Sequence, residues 1–352
     1  MKKGKNLLFL LLGLALGGGL GVVLAMHADT APRLLLDFAL LMLAAYAQLI
    51  LHEAGHLLAG LLTGYRFVSF RIGSLMLLRQ QGRFRLARFR LAGTGGQCLL
   101  APPPLRDGDY PCVLYHLGGV LMNLLCALLA GAAMLAAGYS AWRLGTLAAG
   151  LVMAVTNGVP LRTSTVDNDG RNALRSLREK EVRLGFHRML TVNAAISEGK
   201  RLRELPEEWM ACAPGQERER GYTRFLWLLD QERYDEARSY GQTLQSADLV
   251  GVHRILLEND LRCLTLLAGE TPAAPSRELT QLTKAMGTHP PILRAQYIFA
   301  LLQDKSPERA NIFQKRFDKV LLTYPYPADA EADRALMRRA EQQFDGTSAS
   351  RG

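Results

Sequence analysis

Leu51-His52-Glu53-Ala54-Gly55-His56-Leu57 lies inside a long apolar stretch, and this stretch decides how the rest of the chain is read. In a helix, histidines four positions apart project from one face, so both imidazoles can reach a single ion. The glutamate between them sits beside that ion, where a water would be activated. Zinc takes such nitrogen and oxygen donors and, in catalytic sites, keeps one position open for water. Two histidines leave one protein ligand to be found elsewhere. Ionisable side chains in a spanning helix cost about 2.5–3.5 kcal/mol each on insertion scales, so three within five positions mark a site rather than a packing accident.

Outward from this motif the chain is strongly asymmetric. The overall hydrophobic content of 49% averages a greasy half, up to about residue 165, with a charged half from 171 onward. Four stretches approach the roughly 20 apolar residues that cross a bilayer: 6–26, 34–62, 113–137 and 144–160. The first follows a lysine-rich start, and its apolar run exceeds the 7–15 residues usual for a secretory signal, so a retained anchor is expected. Short-loop charge sets the orientation. The 65–112 loop carries Arg66, Arg71, Arg79, Arg83, Arg85, Arg88, Arg90 and Arg106, whereas the opposite turns carry Arg33 and Arg143. That loop and both termini are therefore expected in the cytoplasm of a multi-pass cell-membrane protein.

Within the loop, segments 67–78 and 83–91 flank a Gln80-Gln81-Gly82 turn, and the second alternates Arg-Phe-Arg-Leu. Period-two patterning of this kind predicts a cytoplasmic β-hairpin. It is either solvated or an edge to which an extended substrate adds as a further strand. Gly93-Thr94-Gly95-Gly96 and Pro102-Pro103-Pro104 mark turns before the third span.

The missing ligand should come from another helix at the same depth. His52 lies about 27 Å from the outer end of the second span at 1.5 Å per residue, close to the inner side. Asn157-Gly158-Val159-Pro160 ends the fourth span at that level, and Asp167-Asn168-Asp169-Gly170 follows. Both Asp167 and Asp169 qualify as the carboxylate donor. The glycine after Asp169 permits a tight turn close to the site, and the residues alone leave both carboxylates open.

With these elements together, residues 34–170 resemble the site-2 protease family, intramembrane zinc metalloproteases of peptidase family M50 built on H-E-x-x-H and a later N-x-x-P…D-G element. The resemblance implies zinc held by His52, His56 and Asp169, Glu53 as catalytic base, and Asn157 positioning substrate or meeting the oxyanion. Gly118-Gly119-Val120-Leu121-Met122-Asn123 is similar to the family's small-residue and Asn element, a pattern that helix packing alone also explains. The chain departs from the family pattern in two places: eight residues separate Pro160 from Asp169, and Val120 stands where proline is common. The implied activity is hydrolysis of a peptide bond in or near the spanning segment of a membrane-anchored protein or peptide. An inactive relative that only binds such peptides is the alternative. A four-span carrier using His and Glu as a relay is disfavoured by the lack of an internal repeat.

Residues 171–352 are predicted to be helical, with amphipathic stretches at 171–199, 218–231, 234–247, 249–268, 276–287, 292–303, 306–322 and 328–344. Tyr234-Asp235-Glu236-Ala237-Arg238 resembles part of a tetratricopeptide-type hairpin, without a clean 34-residue period. The expected organisation is an anchor helix (1–30), a metalloprotease core (31–170) and a cytoplasmic helical domain (171–352), the last suited to a regulator or to substrate recruitment. The net charge of +10 flanks hydrophobic spans and forms no basic stripe with interleaved aromatics, so the expected environment is a lipid bilayer and not nucleic acid. Five scattered cysteines give neither a disulfide framework nor a thiolate zinc site.

Overall fold

The computed structural model describes residues 17–89, 94–161, 167–214, 216–247 and 249–349. Residues 6–16 of the expected anchor, Arg90 and Leu91 of the expected hairpin, and Gly93 lie outside the described residues. Among the described residues the chain is mostly helical with one small antiparallel sheet. Its helices are α1 (Gly17–His27), α2 (Ala31–Leu62), α3 (Val113–Ala137), α4 (Ala141–Gly158), α5 (Asp169–Arg178), α6 (Lys180–Ser197), α7 (Glu207–Met210), α8 (Tyr222–Asp230), α9 (Tyr234–Leu244), α10 (Gly251–Leu267), α11 (Arg277–Ala285), α12 (Pro290–Ile298), α13 (Pro307–Leu321) and α14 (Glu331–Ala349). Among the described residues two compact units emerge, within the bounds Met1–Gly55 with Gly119–Val159, and His56–Gly118 with Pro160–Gly352.

The first unit comprises α1, the larger part of α2, most of α3, and α4. Among the described residues two helices, α2 and α3, are long and apolar enough to cross a membrane. The 18-residue α4 carries Arg143 near its start, and α1 is a short apolar helix. Large apolar side chains point outward, among them Leu35, Leu43, Leu128 and Leu129, while Asp37, Gln48, His52, Glu53 and Asn123 are buried. Close helix approach makes this possible. A Cβ on Gly150 would come within 2.8 Å of the Asn123 carbonyl oxygen and 3.0 Å of Ala127, so only glycine lets α4 lie this near α3.

In the second unit the expected hairpin forms as β2 and β3 of a larger four-stranded sheet, β1 (Arg66–Ile72), β2 (Leu75–Gln80), β3 (Arg83–Arg88) and β4 (Gly96–Ala101), in the order β3-β2-β1-β4. The segment read as one strand over 67–78 is two strands, because Gly73 adopts φ 58° and turns the chain so that Ile72 pairs with Leu75. Glycine at the first central position is what a two-residue type II′ turn requires. The expected turn at 80–82 forms as a tight hairpin: Gln81 and Gly82 have φ of 50° and 76°, and Gln80 pairs with Arg83. β4 lacks alternation because Cys98, Leu99, Leu100 and Ala101 are all buried, which hides a strand from a period-two reading. Val68, Leu99, Leu100, Tyr65, Tyr110 and Tyr115 form the sheet's core, with Leu190 of α6 packed into it.

Helices α8 to α14 surround a separate apolar core that includes Phe225, Leu229, Leu257, Leu293, Ile298 and Phe317. One buried polar cluster interrupts it. Arg294 pairs with Asp260 and with Asp333 at 2.6 Å, and Tyr222 donates to Asp260 at 2.8 Å. These partners satisfy a charge that would otherwise be prohibitive in such a core.

Candidate metal centre

His52, Glu53 and His56 all fall on the unbroken α2 and all three are buried. The helical spacing puts the imidazoles one turn apart on one face, as the sequence requires. Each ring is fixed through Nδ1. The Nδ1 of His56 lies 2.8 Å from the backbone oxygen of Tyr115, an acceptor that only a protonated Nδ1 can satisfy. The Nδ1 of His52 lies 2.6 Å from Oδ1 of Asn123.

The Asn123 amide could in principle be rotated, but its neighbours fix it. Its Nδ2 donates to the backbone oxygen of Gln48 at 3.0 Å and to Oε1 of Gln48 at 2.6 Å. Gln48 in turn donates through Nε2 to the backbone oxygen of Thr146 at 3.2 Å. Two backbone carbonyls, which can only accept, thus orient both amides and turn the Asn123 oxygen toward His52. With Nδ1 protonated on both rings, Nε2 carries the lone pair that a metal would take. Metal-binding histidines are held in the required tautomer by such hydrogen bonds.

The carboxylate arrives from α5. Asn168 caps that helix, its Oδ1 accepting from the backbone N–H of Arg171 at 3.1 Å and of Leu161 at 3.0 Å. Asp169 is therefore the first helical residue, where the positive end of the helix dipole favours a negative charge. Its Oδ2 lies 3.4 Å from Nε2 of His56. One ligand atom from each of His52, His56 and Asp169 can be chosen so that all lie within 4.8 Å of one another. Zinc bonds of about 2.0–2.1 Å at tetrahedral angles place neighbouring ligands about 3.3–3.4 Å apart, so the His56–Asp169 separation already suits a shared ion. The cluster could hold a metal ion, and its donor chemistry fits zinc.

The competing carboxylate is engaged elsewhere. Asp167 receives Nε and Nη2 of Arg218 at 3.0 and 2.8 Å, and Nε of Arg171 lies 3.3 Å away. Asn157 donates through Nδ2 to the backbone oxygen of Met153 at 3.0 Å, within its own helix. Tyr115 contributes a second link, its hydroxyl donating to the Cys98 backbone oxygen at 2.9 Å, which ties the start of α3 to β4. Sequence reasoning missed Gln48 and the Tyr115 carbonyl. Gln48 had a legible signal, since it stands one helical turn before His52 on the same face of α2. A backbone carbonyl has none. No protein-family model matches the chain, and no curated protein or solved structure matches it.

Proposed function

We propose that the protein is a membrane zinc metalloendopeptidase of the site-2 protease type, cleaving a membrane-anchored protein or peptide in or near its spanning segment. The observation that carries this reading is the convergence of two tautomer-fixed imidazoles and a carboxylate from the first turn of α5 beside a buried glutamate. Zinc, when bound, supplies Lewis acidity toward water and toward a peptide carbonyl oxygen. His52, His56 and Asp169 hold it. Glu53 takes a proton from the attacking water and delivers it to the departing amine, as a general base that becomes a general acid. The Asn157 amide, on releasing Met153, donates to the developing oxyanion in a water-poor site. The substrate must be extended there, because a helix keeps its carbonyls in its own hydrogen bonds.

The membrane setting is part of the same proposal: four crossings, with both termini and the sheet in the cytoplasm. It is supported by the two long apolar helices and by the arginine bias of the 65–112 segment. The helical half, in this reading, is the cytoplasmic module that meets a regulator.

The test is to compare new peptide ends in membranes from cells expressing the wild type and Glu53→Gln. Fragments formed only by the wild type are expected, with the variant slower by roughly 10²–10⁴-fold while retaining its metal. Equal fragment yield from both proteins would exclude the mechanism.

A further inference from the structure

Asp167 stands two residues before the proposed ligand Asp169, yet its carboxylate is buried and gripped from a distant part of the chain. The bidentate partner, Arg218, is itself buried and belongs to a π-helical segment, Glu217–Gly221, that leads directly into α8 of the helical half. Such segments are rare and concentrate at functional positions. This one is braced on α6, where Gln216 donates to Glu181 at 3.0 Å, and Arg220 donates to Gln216 at 3.0 Å.

We propose that the helical half controls the metal centre through Arg218: by holding Asp167 it fixes the start of α5 and, with it, the carboxylate of Asp169. The inference rests on the metalloprotease reading of His52, His56 and Asp169. The mechanical path is short. Asp167 adjoins Asn168, whose side chain caps α5 and holds Leu161, and Asp169 is the next residue. A planar guanidinium bonded through two nitrogens defines both position and orientation of its carboxylate, which a lysine's single ammonium does not. The same grip keeps Asp167 from acting as a rival metal ligand. Arg218 is thus a positioning residue, and movement of the helical half transmits directly to one of three metal donors. Packing alone does not require this arrangement, because Arg171 and Arg175 on α5 itself already neutralise Asp167.

The experiment is zinc competition between the detergent-solubilised full chain and a chromophoric chelator, which reads metal affinity without any substrate. Arg218→Leu should weaken zinc binding by about tenfold to a hundredfold, the range typical of outer-shell partners of metal ligands. Asp167→Asn should do the same, and the double variant should be no worse than either single one. Arg218→Lys should recover part of the loss. Arg201→Leu, which breaks the pair with Asp230 inside the helical half, is the control and should leave affinity at the wild-type value. Wild-type affinity in Arg218→Leu and Asp167→Asn would overturn the proposal, as would an equal loss in Arg201→Leu, which would indicate general loosening. If Arg218→Leu does not fold, Asp167→Asn carries the same test from the other side of the pair. A wild-type chain that binds no zinc would instead remove the metalloprotease reading on which the inference stands.

Discussion

The two compact units differ in where their large apolar side chains lie. In the helical half, Phe225, Leu229, Leu293 and Phe317 are inside. In the first unit the outside carries Leu35, Leu43, Leu125, Leu128 and Leu129, and the inside holds Asp37, Gln48, His52, Glu53 and Asn123. The helical half is organised as water demands, its stability coming mainly from removal of apolar area. The first unit would be poorly driven by that force. Its order comes from close backbone approach at positions such as Gly150 and from side-chain hydrogen bonds between helices, the means by which helices associate in lipid. The difference teaches that Gln48, His52, Glu53 and Asn123 are buried together where the chemistry is proposed, whereas Asp37 lies far along α2 beside Arg33.

That contrast can be broken first by truncation. Phe225→Ala, at a fully buried site in the helical half, should cost about 3–5 kcal/mol of stability through lost burial and the cavity left behind. Leu128→Ala, at an outward-facing position of α3, should cost less than about 0.5 kcal/mol in detergent. Chemical or thermal unfolding of the full chain checks both, and equal losses would erase the distinction between the units. The next effect sharpens it. Asn123→Leu removes the acceptor that fixes the His52 tautomer, and should lower zinc affinity about tenfold to a hundredfold with little change in helical content. Unchanged affinity would reduce the Gln48–Asn123–His52 chain to packing.

The smallest effect concerns the polar cluster in the helical half. Burial pushes the Asp333 carboxyl up from its ordinary 3.8 to about 7, against the opposing pull of Arg294. A carboxyl whose folded pKa is raised contributes its stability at low pH and loses it as pH climbs through the folded value. The stability of Asp333→Asn relative to wild type should therefore rise between about pH 4 and pH 7 and stay level above that. Thermal unfolding across this range gives the answer, and a difference independent of pH would mean that the carboxyl ionises normally in the fold.

Much of the site is legible in the sequence because its information is local. The spacing of His52, Glu53 and His56 fixes their shared helix face without any tertiary knowledge. The choice between Asp167 and Asp169 is harder, since both are plausible donors. Only the fold shows that Arg218, 51 residues further on, takes the first and leaves the second beside His56. The sheet was half visible. Gln81-Gly82 announces its turn, whereas β4 conceals itself behind four consecutive buried residues, and the tight turn at Gly73-Ser74 divides the stretch 67–78, which reads as one strand. The helical half follows its amphipathic pattern closely, except that 171–199 breaks at Glu179, which is extended between α5 and α6. No periodicity records that break.

The central claim is that one ion is shared by His52, His56 and Asp169, and it is tested most directly by counting metal. The full chain, purified in detergent without added chelator, should carry about one zinc per molecule by elemental mass spectrometry, and X-ray absorption should report two imidazole nitrogens among the ligands. Asp169→Ala should lower that occupancy sharply, and the pair His52→Ala with His56→Ala should abolish it. A wild-type protein without stoichiometric metal, or one whose zinc survives loss of both histidines, would contradict the account.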